Sequence, residues 1–154
     1  MNVLLSIKPE WAKKIYSGEK TIEFRKNFPI KYIQCWDDIF LYETKPVFAV
    51  TGFIKVDSYI DVRKIYNSKY ENRDKLLKDV TKRGCLSIDE LFKYERNLHI
   101  WAWNIKEFCK MSPEYVNRFS PSEKPPQSWC YTKAYFRHNT LIYDHGLKLG
   151  SIII

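Results

Sequence analysis

No stretch of this chain comes near the roughly 20 consecutive apolar residues that a membrane-spanning helix needs. Its opening, Met-Asn-Val-Leu-Leu-Ser-Ile-Lys, has no basic segment before the short apolar run and meets Lys8 at once. That predicts a first strand, not a secretion signal. A Cys-x-x-Cys pair is also missing. Cys35, Cys85, Cys109 and Cys130 are scattered, the pattern of reduced thiols in an intracellular, cytoplasmic protein. His99, His138 and His145 show no ligand spacing, so neither a metal nor another cofactor is expected. Repeats, low-complexity stretches and linker-like breaks are absent too, and residues 1–154 read as one domain. A chain of this size buries roughly 70% of its unfolded surface and needs no cross-links.

Positive charge and aromatic rings are plentiful. The formal net charge is +8, and 16% of the residues are Phe, Trp or Tyr. Such a balance favours acidic partners, RNA or DNA first among them, while solubility alone is the plainer reading. Because the basic residues are not gathered on one amphipathic helix, no membrane surface is expected as a partner.

Local patterns place the elements. Val3, Leu4, Leu5 and Ile7 predict a buried strand over 2–7. Pro9 suits a first helical turn; Trp11, Ala12, Ile15 and Tyr16 recur at helical spacing, and Gly18 closes the helix. Residues 20–25 alternate, with Ile22 and Phe24 on one face and Thr21, Glu23 and Arg25 on the other, and Pro29 ends the strand region. Strands are predicted over Asp38–Tyr42 and Val47–Val56, joined as a hairpin through Glu43–Pro46, with Gly52 at a bulge. From about 61 to 94 the chain turns helical and charged; residues 61–83 hold eight basic and four acidic side chains. Ser87 and Glu90 form a capping-box pattern. Leu98–Phe108 predicts a strand with Trp101 and Trp103 facing the core, Ser112–Tyr115 a helical turn, Ser120–Pro126 a loop, and Leu147–Ile154 a last strand. A helical insertion among strands predicts an α+β, barrel-like fold.

Two motifs carry a resemblance. The first is the strand, the Pro9 helix and then Gly18-x-Lys20-x-x-x-x-Arg25; the second is Pro125-Pro126-Gln127-Ser128 followed by an aromatic. Together they resemble the ASCH family of the PUA-like superfamily, in its subgroup with a Pro-Pro-Gln-Ser motif, over about residues 2–132. The resemblance implies a PUA-like β-barrel with a flanking N-terminal helix, a helical insertion, and a cleft beside the first helix that binds RNA or related ligands. Some members act on RNA or modified nucleosides. One branch deacylates acetylated cytidine with a lysine, matched here by Lys20, and a threonine, whose place is taken here by Glu23.

Three functions follow. In the first, a module holds single-stranded RNA or a nucleotide in a basic cleft lined by Lys20, Glu23, Arg25, Gln127 and Ser128. Lys8 and Lys26 extend a phosphate-contacting rim, and Trp129, Tyr42, Tyr131 and Trp36 offer rings for stacking. Arg25 supplies a bidentate grip for phosphate or a base edge. In the second, a metal-independent ribonuclease or modified-nucleoside amidohydrolase uses Lys20 and Glu23 as acid–base groups. In the third, the aromatic surface meets a protein partner. Each residue also has a plain structural reading, as a salt-bridged strand face, a surface lysine or a packing ring.

Overall fold

The computed structural model describes residues 2–28, 37–69, 71–137 and 140–142. Pro29, Cys35, Trp36, His138, His145 and the tail expected as a last strand lie outside them. No helix among the described residues is long and apolar enough to cross a membrane.

Among the described residues, eight strands and four helices follow one another. β1 (Asn2–Ile7) leads into α1 (Pro9–Tyr16) and β2 (Ile22–Arg25). β3 (Ile39–Glu43) and β4 (Ala49–Asp61) form a hairpin. The insertion holds α2 (Val62–Tyr66), α3 (Arg73–Gly84) and α4 (Ile88–Tyr94). β5 (Trp101–Glu114), a turn of 3-10 helix at Val116–Arg118, β6 (Trp129–Thr132), β7 (Tyr135–Arg137) and β8 (Thr140–Ile142) complete the order. Six strands make one sheet in the order β2-β5-β4-β3-β1-β6, and β7 pairs with β8.

That sheet rolls up as a half-barrel. β2 and β6 are its opposite edges, yet Arg25 of β2 reaches Ser128, just before β6, at 3.5 Å. A flat six-stranded sheet would hold these edges five strand spacings apart, roughly 24 Å. Curvature brings them within one side chain of each other.

Period-two alternation sorts the core. Val3, Leu5 and Ile7 join Ile39, Leu41, Ile54 and Trp103 under α1. Leu4 points the other way, to Phe40, Tyr42, Phe53 and Phe119. A third cluster, Ile22, Phe24, Val62, Val80, Leu91 and Ile100, seats the insertion on β2 and β5. α1 begins with Pro9 and ends at Gly18, whose φ of 78° is a left-handed stop that glycine adopts freely. Its last residue, Tyr16, anchors it to the sheet. The Tyr16 hydroxyl lies 2.9 Å from Thr51 Oγ1, which in turn donates to Glu43 Oε1 at 2.6 Å.

The capping box forms as expected. Ser87 Oγ accepts from Glu90 N, and the Glu90 carboxylate accepts from Ser87 N. Two expectations fail. No helical turn forms at Ser112–Tyr115, because β5 runs through Glu114, pairing Glu114 with Val50 and Lys110 with Gly52. Pro113 falls inside the irregularity between those pairs, where its missing N–H breaks no ladder bond. β4 likewise continues past Val56 to Asp61, because residues 58–61 find partners in Trp101–Asn104. Tertiary pairing overrides local propensity at both places.

Trp103 is fully buried, and its Nε1–H finds no acceptor among the described residues. Trp103→Phe removes that stranded donor along with some packing. Chemical denaturation should therefore show a loss under about 1.5 kcal/mol, against about 3–5 kcal/mol for Trp103→Ala.

Candidate functional site

A cavity of about 470 Å³ opens between α1, β2 and the insertion, lined in part by Ser6, Lys8, Trp11, Lys20, Glu23 and Arg25. Tyr94, Leu86, Thr44 and Gln127 complete much of its wall. The volume falls within the range of small-ligand sites.

Its floor is a run of buried charges. Lys20 is 2% exposed and Glu23 5%. Lys20 Nζ lies 3.3 Å from Glu23 Oε2, and Arg25 Nη2 lies 2.8 Å from Glu23 Oε1. One carboxylate thus sits between two cations, with both of its oxygens engaged. Buried charges persist when they are paired and hydrogen-bonded, and the chain supplies the remaining partners. Lys20 Nζ donates to the Gly84 carbonyl at 2.7 Å, at the end of α3. Arg25 Nη2 donates to the Ser6 carbonyl at 2.7 Å. Ser6 Oγ donates to the Pro126 carbonyl at 2.6 Å, and Ser6 N to the Ser128 carbonyl at 2.8 Å. The proline-rich loop is thereby pinned to β1. Arg25 Nε is buried and has no partner among the described residues, while the side chain as a whole, 13% exposed, lines the cavity.

Aromatic rings face these cations. Lys20 Nζ sits 5.2 Å from the Trp11 ring centroid and 5.5 Å from that of Phe24. Lys26, exposed beside the cavity, lies 5.1 Å from the Tyr94 ring. Partial burial pushes the Tyr94 hydroxyl above its ordinary pKa.

Of the residues singled out in the sequence, Lys8, Lys20, Glu23, Arg25 and Gln127 line the cavity, and Ser128 bonds to Arg25 from behind. Tyr42 is placed elsewhere. It is 4% exposed, packed with Leu4, Phe40 and Val50 on the other face of the sheet, so it has no ring to offer a base. Trp129 is also spoken for. Its Nε1–H donates to Asn27 Oδ1 at 2.7 Å, and its ring packs on the cluster under α1 and meets Tyr131 edge-on. The residues that the sequence reading missed are Ser6, Trp11, Leu86 and Tyr94. Trp11 shared its period with the core stripe, and Leu86 and Tyr94 belonged to an insertion that reads as a solvated surface. Burial raises the thiol pKa of Cys109 and Cys130, which leaves them poor nucleophiles.

The family model of the ASCH domain matches residues 5–132. The chain belongs to the ASCH family. Among curated proteins, the ASCH domain-containing ribonuclease of Zymomonas mobilis subsp. mobilis is 39% identical over 57 residues, and this stretch is 37% of each chain. The alignment thus spans little over a third of that relative. Among solved structures, an ASCH protein from Zymomonas mobilis superposes with a TM-score of 0.63 at 24% identity, covering 89% of this chain and 88% of the other. A serine-to-alanine variant of that protein gives a TM-score of 0.65 at 23% identity, covering 89% of each. At this identity the likeness establishes the ASCH fold, in agreement with the half-barrel and its helical insertion.

Proposed function

We propose that this ASCH domain binds single-stranded RNA by taking one nucleotide into the cavity beside α1. The observation that carries this reading is Arg25. Its guanidinium is held in place by Glu23 and Ser6, and the side chain, still 13% exposed, brings its positive charge to the cavity wall. A base carbonyl or a phosphate oxygen suits a guanidinium so placed. Trp11, Phe24 and Tyr94 give the base apolar walls. Lys8 and Lys26, both exposed beside the cavity, suit the backbone on either side.

Cleavage of RNA is the second reading, favoured by the name of the Zymomonas relative and by an amine and a carboxylate 3.3 Å apart in one cavity. Both Glu23 oxygens are already paired with cations, however, which suits holding Arg25 and Lys20 in place better than taking a proton.

The test follows labelled single-stranded RNA by gel shift and by cleavage in the same samples, with chelator present. Wild type should bind with an affinity that falls as salt rises. Lys20→Ala and Arg25→Ala should each weaken binding by roughly ten- to a hundredfold, the value of hydrogen bonds to a charged group. Wild-type affinity in both variants would sink the cavity as the site. Cleavage that disappears with Lys20 would replace binding by catalysis.

A further inference from the structure

The turn between β3 and β4 carries two features that the core does not explain. Phe48 is 58% exposed, and its backbone sits at φ 53°, a left-handed conformation that a β-carbon disfavours. Exposing a large apolar ring and straining its backbone both work against folding, so their coincidence points to a contact made outside the chain. Val47 beside it is also exposed, and Lys45 adds an exposed cation.

The turn is held firmly. The Thr44 carbonyl accepts from Val47 N at 3.0 Å and from Phe48 N at 3.4 Å, while Thr44 N donates to the Ile7 carbonyl at 2.9 Å. These bonds fasten the turn to the end of β1, beside Lys8. Ile7, Lys8 and Thr44 all line the cavity. The wall of the cavity and the exposed ring thus belong to one rigid piece of chain, with Lys8 and Lys45 as its cations.

We infer that Phe48 is a second nucleotide subsite, on which the base next to the one in the cavity stacks. This inference rests on the RNA reading above. An exposed ring on a turn that also carries an exposed lysine suits a single strand without regard to sequence, because every base has a π-face and every step a phosphate. Lys8 and Lys45 meet the phosphate between the two bases. The subsite sets how many nucleotides the domain covers and adds no demand on which base occupies it.

The test compares a mixture of ribonucleoside monophosphates with a random-sequence RNA trinucleotide, using calorimetry on wild type, Phe48→Ala, Phe48→Trp and Phe48→Gly. Phe48→Ala should weaken trinucleotide binding about tenfold or more, the scale of one lost stack, and leave monophosphate binding unchanged. Phe48→Trp should keep both. Phe48→Gly should lose the trinucleotide like the alanine variant, yet melt at a higher temperature than wild type, because glycine takes this backbone conformation without strain. That combination separates a binding role from a folding one. Trinucleotide affinity unchanged in Phe48→Ala would overturn the subsite, leave the cavity reading intact and give the ring to a protein partner. If wild type binds neither ligand, the RNA reading falls and the subsite falls with it.

Discussion

Glu23→Gln should lower the unfolding free energy by about 3–5 kcal/mol, the loss found when one member of a buried ion pair is removed. The variant keeps the shape of the side chain and removes its charge. Lys20 and Arg25 then remain in the wall with no counterion; Lys20 is nearly inaccessible, and the Arg25 side chain is 13% exposed. Urea denaturation with wild type alongside measures the difference. A second substitution identifies the cause. Adding Lys20→Met to Glu23→Gln removes one of the two stranded cations, so the double variant should be more stable than Glu23→Gln alone, a coupling that independent sites would not show. If Glu23→Gln unfolds at the same urea concentration as wild type, the charges are solvated and the buried floor described here is wrong.

Gly84→Ala should also be damaging, by a different route. Gly84 ends α3, and a β-carbon built on it would overlap the edge of the Phe24 ring. Phe24 is itself buried between the insertion and β2, so it has little room to yield. Overpacking of this kind costs about 1–3 kcal/mol. The same residue offers the carbonyl to which Lys20 donates, so the displacement should also reach the cavity and weaken RNA binding. Phe24→Leu, combined with Gly84→Ala, makes space for the methyl group. The pair should recover part of the lost melting temperature and part of the binding. A Gly84→Ala variant that keeps both wild-type stability and affinity would mean that the insertion moves freely against β2.

Much of the fold was legible in residues 2–25, where every signal is local. Pro9 and Gly18 bracket a helix, and strict alternation in Ile22–Arg25 marks a strand whose charged face is real. The Ser87–Glu90 capping box was legible for the same reason. Alternation did not, however, tell which face of β3 would be covered, so Tyr42 looked available when it is core. Ser112–Tyr115 suggested a helical turn because the partners that keep this stretch in β5, Val50 and Gly52, are far away in the chain. The site shows the same division. Lys20, Glu23 and Arg25 were visible as a charged cluster. The groups that hold them were not: the carbonyl that receives Lys20 is 64 residues away, and the one that receives the Ser6 hydroxyl is 120 away. Neither carbonyl leaves a mark on side-chain pattern.

Those separations also bear on how the protein comes into being. Arg25 and Ser128, at opposite edges of the rolled sheet, are 103 residues apart. A chain still growing on the ribosome has its strand–helix–strand opening early, and with it Lys20, Glu23 and Arg25. It lacks the loop that fixes Ser6 until residues 126–128 have been made. Until then the cavity lacks the wall that Gln127 supplies, and Arg25 lacks Ser128. Completion of the cavity wall is therefore a late event in synthesis, set by the closing of the sheet.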